Sequence, residues 1–593
     1  MSYIPLSLNT SERDTRCEYN YALPLNGVSF SMNEADFEEG KCRLMENFDI
    51  NTNSLSNVGA SVGMFEDFAT EKTLYSITKD GFNGKIIAHI GNKLYMFDEN
   101  SAQPDVLSDI LPDKQSVFAE FLSKLYIYCD RHVFCVDTDF VFKEEECDAP
   151  VLYNDIIPGY GAFTTAVQND VSLNLIAPRI AIEYVKGKVE SYPLPYKCDL
   201  TRNVEVLVEG EVYPSDKYIV YENRVLFSDY TKICEKKVKI SYYVANDDDI
   251  GFEDSFSSCS VCEVFGGNNL SGTRIFMTGN PDKKGVYYKS ELLNPLFFSE
   301  DDYEIVGDGC DNVTGLIKMY DSMIILTERA VYAMAYVLSE PLPYFSIKML
   351  SNQVGCDMPK SIALVDNRIV FANSNKGIFI LDSANEAGEH NVKPISKNIE
   401  RNGNTGFFDC NVDDLRNACS IDFERKYILC VKNRAYIWDY GKSPYSESSN
   451  YSKAQTRLIF TLRDFEDADY LFNLSGKLCS CSKENIRFKQ YSKTNFDTRW
   501  KLLSGKMSFN LLGSQKCITD MSIVLKKAQN TNITLKLFSD NTQYYTQTVK
   551  CNGDLIENVK LKLPSKKLSF FEFELEGSGS IEIHSIILKY RIL

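Results

Sequence analysis

Few residues in this chain of 593 have types and spacing that could do chemistry. There are four histidines: His89, His132, His390 and His584. His89 and His132 sit inside apolar runs, where a strand histidine with a satisfied hydrogen bond is the ordinary reading. His390 falls in a polar loop. No HExxH, GxSxG or paired-histidine spacing appears, so zinc proteases and serine hydrolases have no handle. Cys259-Ser260-Val261-Cys262 has knuckle spacing, but a zinc site needs a second ligand pair, and Cys479-Ser480-Cys481 is one residue too close. Carboxylates gather at Asp247–Asp249, at Glu300–Asp302, and at Asp308 with Asp311. Paired carboxylates serve glycosidases, but charge runs in loops are ordinarily solvated faces. The stretch from Asp308 to Val313 lacks the alternating acids and closing Glu of a calcium loop. Gly266–Asn269 and Gly279-Asn280-Pro281 read as turns, and no Gly-rich stretch joins a strand to a helix. No catalytic, cofactor-binding or metal-binding residue is therefore assigned, no cofactor is expected, and the chain is read as not an enzyme.

The elements that would position such residues are mostly strands. A strand, a polar turn and a second strand recur at Lys85–Phe97, Val117–Val136, Gly315–Met334, Ser361–Leu381 and Ala418–Trp438. Weaker copies lie at Gly272–Tyr288 and Phe472–Gln490. With an insert subtracted, most copies are about 45–55 residues apart, the spacing of propeller repeats. The predicted fold is all-β: a β-propeller of about seven blades, with six to eight allowed. An inserted small β-sandwich and a C-terminal β-sandwich or jelly-roll complete it.

The domain boundaries follow from changes in pattern. Residues 1–80 form an N-terminal arm and first strands that close the propeller. Residues 81–160 carry its first blades. Residues 161–250 are the inserted sandwich, with short strands at Val204–Val208, Tyr218–Tyr221, Arg224–Phe227 and Val238–Val244. Residues 251–495 carry the remaining blades. Residues 496–593 form the terminal sandwich, with strands at Ile523–Leu525, Ile533–Phe538, Val559–Leu563, Phe570–Leu575 and Ile581–Leu588. The best helix candidate is Glu34–Phe48, with Phe37, Cys42 and Leu44–Met45 as a partial apolar stripe.

Composition excludes several classes. Hydrophobic residues make up 44% of the chain, enough to bury a core. Its 35 Tyr and 36 Phe against 2 Trp favour strands. The formal net charge of −18 argues against nucleic-acid capture, which needs clustered cations. The most basic short stretch, Lys236–Lys239, alternates like a strand with one wet face. The 18 cysteines are scattered, several inside apolar runs (Cys129, Cys135, Cys356, Cys430, Cys479), as buried free thiols would be. No leader-like segment opens the chain and no run of about 18 apolar residues occurs, so neither export nor a membrane span is expected.

Three groups of motifs, taken together, resemble the tail nozzle and packaged-DNA stabilisation proteins of short-tailed bacteriophages. The first runs through Leu25–Phe30, Glu38–Asp49 and Leu55–Gly59. The second, the most specific, is Arg274–Gly279, Asn280-Pro281, Val286–Ser290, Asn294–Phe298 and Thr314–Leu326, continued by Gly355-Cys356, the Asn367-Arg368 turn and the strands around it. The third is the insert, through Val206–Gly210, Tyr218–Val220, Val225–Phe227 and Val238–Tyr242. Thr498-Arg499-Trp500 onward fits the terminal sandwich of such chains. The resemblance implies a structural virion protein of the tail, assembled in the host cytoplasm as a homo-oligomer, with six copies the expected number. It would adjoin portal or adaptor proteins and tail fibres, retain packaged DNA, and conduct it through the lumen without specific binding. The alternative is a glycan-binding or glycan-cleaving propeller of the receptor-binding kind, to which Tyr287, Tyr288, Asp301 and Asp302 would contribute.

Overall fold

In a computed structural model the chain is described at residues 16–30, 37–65, 68, 71–158, 172–266, 272–339, 342–382, 392–444, 458–465, 468–483, 486–491, 498–509, 511, 513–551 and 556–593. The fold is all-β. Six separate four-stranded sheets and a seventh set of four consecutive strands make seven blades. Blade 1 comprises Leu74–Ile77, Ile86–Ile90, Lys93–Phe97 and Asp105–Ser108. Blade 2 runs from Ser116–Phe121 to Phe142–Glu145, and blade 3 from Val261–Phe265 to Tyr303–Ile305. Blade 4 spans Val313–Met319 to Tyr344–Ser351, blade 5 Ala363–Val365 to Val392–Pro394, and blade 6 Cys419–Phe423 to Phe460–Asp464. Blade 7 takes Tyr470–Leu474, Lys477–Cys481 and Phe488–Tyr491 from late in the chain and Ser61–Met64 from near its start.

Each blade forms because its runs are rich in β-branched, aromatic and aliphatic residues and its turns are tight. Leu122-Ser123, Asp366-Asn367 and Glu424-Arg425 each connect two strands with both residues at positive φ. That is the type I′ geometry, whose twist matches the strands it joins. The turn in blade 5 is thus Asp366-Asn367, and Arg368 already belongs to the next strand. Between most neighbouring blades lies a separate apolar cluster, and the one between blades 5 and 6 is continuous with the sandwich core. Ile87, Leu94, Leu125 and Ile127 join blades 1 and 2, and Ile324, Leu326, Ile369 and Phe371 join blades 4 and 5. The ring is shut between blades 7 and 1, where the Phe97 and Phe488 ring centroids are 4.4 Å apart.

The chain leaves the ring after blade 2 and returns at blade 3. The excursion folds as a five-stranded sheet (Val151–Ile156, Arg179–Tyr184, Val238–Tyr243, Glu205–Val208, Glu211–Val212) and a three-stranded one (Ser191–Pro193, Arg224–Phe227, Tyr218–Tyr221). Tyr184, Tyr192 and Phe227 pack edge to face at its centre, successive centroids 5.0 Å apart. Residues 161–171 of the expected insert lie outside the described residues.

The terminal sandwich is built differently from its prediction. The expected strands at Ile523–Leu525 and Ile533–Phe538 are parts of one strand, Lys516–Ser539. Those at Phe570–Leu575 and Ile581–Leu588 are parts of Phe571–Ile592. The two long strands pair antiparallel throughout, with register shifts between Lys526 and Asn532 where they bend. Each therefore contributes to both layers of the sandwich. The start of the chain completes it: Arg16–Tyr21 pairs with Phe571–Ile592, and Cys42–Glu46 pairs with Arg499–Ser504.

The expected helix over Glu34–Phe48 is replaced by strands at Cys42–Glu46 and Phe48–Ile50; Glu34–Asp36 lie outside the described residues. Edge pairing decides the outcome. Leu44 and Met45 are both buried, paired with Leu503 and Leu502 in the register, and Asn47, in the left-handed region at φ 62°, separates the two strands. Among the described residues helix is confined to short turns, of which Asp247–Ile250 and Val412–Arg416 are α-helical. No helix among the described residues is long and apolar enough to cross a membrane.

Candidate functional site: the axial channel

The innermost strands of the ring enclose a channel of about 1340 Å³. All seven blades reach it, through Ser76, Val117, Val261, Leu316, Ile362, Ser420 and Leu471 among others. In a chain of net charge −18, this lining is rich in cations: Lys79, Lys360, Lys376, Lys483, Arg329 and Arg416, against Glu263, Glu328 and Asp357.

Most of these charges have partners. Arg329 pairs with Asp311 at 3.3 Å and Arg416 with Asp357 at 3.6 Å. Asp357 also accepts the Ser374 backbone N–H at 2.7 Å and the Ser374 hydroxyl. Lys376 donates to the Gln353 carbonyl. Glu263 pairs with Lys318 at 3.5 Å, and burial nevertheless raises its carboxyl pKa.

Lys360 is the most enclosed of the cations. Its Nζ lies 3.8 Å from the Tyr470 ring centroid and donates to the Asp469 carbonyl at 3.4 Å. Burial lowers its pKa, and Lys483 adds a repulsion; the Cys419 and Asp469 side chains act the other way. Burial likewise lowers the pKa of Lys79, although its side chain touches the solvent of the channel. Near Asp422, which accepts the Tyr440 hydroxyl at 2.9 Å, the charge is reversed: burial and then the charges of Asp80 and Asp366 raise its carboxyl pKa.

Amides and hydroxyls fill out the lining. Gln115, Asn312, Asn375 and Asn417 face the channel beside Ser76 and Ser260. Such groups can donate to and accept from a polyhydroxylated ligand, and Tyr75 and Tyr470 line the channel beside them.

The residues singled out in the sequence go elsewhere. His89 is buried in blade 1, with Nδ1 2.9 Å from Ser116 Oγ, and burial lowers its pKa to about 4. His132 is bonded to Glu144 at 2.7 Å and stacks on Phe134. His584 lies in the terminal sandwich, 3.6 Å from Glu582. His390 and Gly267–Asn269 lie outside the described residues. Cys259 bonds the Ser255 carbonyl, and Cys479 and Cys481 are buried in blade 7. No cysteine is joined in a disulfide. Among the described residues no group of three or more His, Cys, Asp or Glu could hold a metal.

The glycan constellation expected around Tyr287 and Asp302 does not form. Tyr287 and Tyr288 are core residues, and the Tyr287 hydroxyl donates to Glu304 at 2.6 Å. Asp302 pairs with Lys289 at 2.7 Å, and Asp301 accepts the Ser172 hydroxyl. Asp247 is held by Arg131, and Asp308 accepts the Cys310 backbone N–H. The channel lysines were missed because Lys79, Lys360 and Lys483 stand far apart in sequence, each with ordinary neighbours. Only the ring closure brings them to one bore.

No protein family matches the chain, and no curated protein is similar to it. Similar solved structures exist at low identity. The AfRom2 CNH domain is 6% identical, covering 74% of this chain and 98% of that one, with a TM-score of 0.33. PorZ, a surface component of the type-IX secretion system of Porphyromonas gingivalis, is 11% identical, covering 82% and 46%, with a TM-score of 0.29. An exo-β-1,3-galactanase from Phanerochaete chrysosporium is 7% identical, covering 86% and 100%, with a TM-score of 0.17. The expectation that this chain is not an enzyme is therefore corrected: a glycoside hydrolase stands among its structural neighbours. The likeness is too low to bring that protein's activity here, and hydrolysis becomes a question for assay.

Proposed function

We propose that this chain is a carbohydrate-binding β-propeller and that the axial channel is its ligand site. One observation carries the reading. A channel of about 1340 Å³, reached by all seven blades, presents amides, hydroxyls and tyrosine rings at once. That combination suits a ligand with alternating hydroxyl edges and apolar faces. The ring supports it physically, because each blade is fixed by an apolar cluster on either side, so the lining is held in place before a ligand arrives. The test is titration calorimetry of the purified protein against a panel of oligosaccharides, with product analysis by chromatography. Binding that is weakened by Tyr470→Ala upholds the reading. No binding and no hydrolysis across the panel overturns it.

A second reading is a subunit of a bacteriophage tail nozzle. It is favoured by the order of motifs from Arg274 to Leu326, which occupies successive strands of two adjacent blades. Gly279 turns at φ +80° there, and Asn280 donates to the Ser255 carbonyl at 2.6 Å. Electron microscopy of purified phage particles tests it. Density for this chain below the portal upholds the nozzle, and particles without the chain exclude it.

A further inference from the structure

The channel lysines differ in what answers their charge. Lys79 and Lys483 make no ion pair among the described residues, and Lys360 has only a ring face and a backbone carbonyl. The carboxylates felt nearby are Asp80 at Lys79 and Asp469 at Lys360, and neither pairs with them. Asp469 is already occupied, accepting the Lys483 backbone N–H at 2.7 Å. Burial keeps the neighbouring Cys481 thiol neutral.

Two lysines elsewhere show the contrast. Lys289 is shared between Asp302 and Glu304, and Lys536 between Glu574 and Glu576. At Lys360, burial and the repulsion of Lys483 both disfavour the charged form. An anion entering the bore would relieve both.

We propose that Lys79, Lys360 and Lys483 form an anion subsite that takes the carboxylate or sulfate of an acidic saccharide. The proposal rests on reading the channel as a carbohydrate site, and it adds the charge class of the ligand. The three lysines enter from different parts of the ring: after the first strand of blade 1, before blade 5, and within blade 7. A ligand spanning them would lie across the bore, with Tyr470 beneath the Lys360 ammonium.

The experiment titrates four probes into the wild-type protein and into Lys79→Gln and Lys483→Gln. The probes are inorganic sulfate, a uronic-acid hexasaccharide, a sulfated hexasaccharide and a neutral hexasaccharide. Circular dichroism checks that the variants are folded, and Lys79→Arg keeps the charge as a control. The expected result is that an acidic hexasaccharide binds more tightly than the neutral one and loses about tenfold in affinity in each Gln variant but not in Lys79→Arg. Added salt should weaken it. Equal binding of neutral and acidic saccharides, unchanged in the variants, overturns the subsite and leaves the carbohydrate reading standing. Sulfate binding that both variants lose, with no saccharide bound, upholds the subsite and overturns the carbohydrate reading. Failure of sulfate and of both acidic probes to bind overturns the subsite.

Discussion

Lys360 Nζ lies 3.8 Å from the centroid of the Tyr470 ring, so a residue that precedes blade 5 is held by the first residue of blade 7. The blade between them contributes Cys419 to the same patch, and its thiol donates to the Ala468 carbonyl at 3.3 Å. The channel wall is therefore continuous across three blades, and its charge is set by residues the chain assembles late.

Burial lowers the pKa of Lys360, so its neutral amine is more abundant at a given pH than that of a surface lysine. Reductive methylation at about pH 9, followed by peptide mass spectrometry, should label Lys360 faster than Lys236 once access is matched on the unfolded chain. The sign for stability follows. The unfolded chain holds this proton more tightly, so this group's contribution to stability rises as pH rises through the lowered folded value towards the ordinary lysine value. A bound acidic ligand should slow the labelling of Lys360.

His89 gives a second pH dependence. Its folded pKa of about 4 lies below the ordinary 6.5, because the ring is buried with Nδ1 against Ser116. The unfolded chain therefore binds the proton first as the pH falls. The stabilisation from keeping His89 neutral is complete above about 6.5 and is lost progressively down to about 4, up to about 3 kcal/mol. Urea unfolding at pH 7 and at pH 4.5 should show a larger loss for the wild type than for His89→Asn. An equal loss in both would place the acid sensitivity in the carboxylates instead.

Much of this architecture was legible in the sequence, and the exceptions have physical causes. The strand pairs of blades 1, 2, 4, 5 and 6 could be read because apolar runs of β-branched and aromatic residues and tight turns are local signals. Tyr218–Tyr221 and Arg224–Phe227 in the insert could be read for the same reason. The stretch from Cys42 to Ile50 was misread because the pairing that makes it a strand comes from Arg499–Ser504, hundreds of residues away. The long strands of the sandwich were each split in two because bulges interrupt the alternation that marks a strand. Tyr287 and Tyr288 looked like an aromatic surface, yet adjacent strand residues face opposite sides and here both sides are covered. The channel site could not be read, since Lys79, Lys360 and Lys483 meet only after the ring is closed.

Closure itself makes a prediction. Ser61–Met64 is the outer strand of blade 7, and Phe488 packs on Phe97, Phe65 and Phe472 where the ring is shut. Phe488→Ala should cost about 3–5 kcal/mol and loosen this seam before any other. Hydrogen exchange should show the amides of Ser61–Met64 losing protection in the variant while those of blade 4 keep theirs. Uniform loss around the ring would mean that the seam is not the weak point.

Gly577 sits where the long strands bend, opposite Ile533 in the register, and a side chain there would have no room. A Cβ would collide with the Asn532 carbonyl oxygen and the Trp500 ring. Trp500 is fully buried, and its indole N–H donates to the Gly579 carbonyl at 3.2 Å, so it has little freedom to move aside. Gly577→Ala should therefore destabilise the sandwich by about 1–3 kcal/mol. The chain has only 2 Trp, so a Trp438→Phe background leaves Trp500 as the single fluorescent reporter of this module. In that background Gly577→Ala should lower the urea midpoint followed at Trp500. An unchanged midpoint would show that the bend relaxes to accept the methyl group.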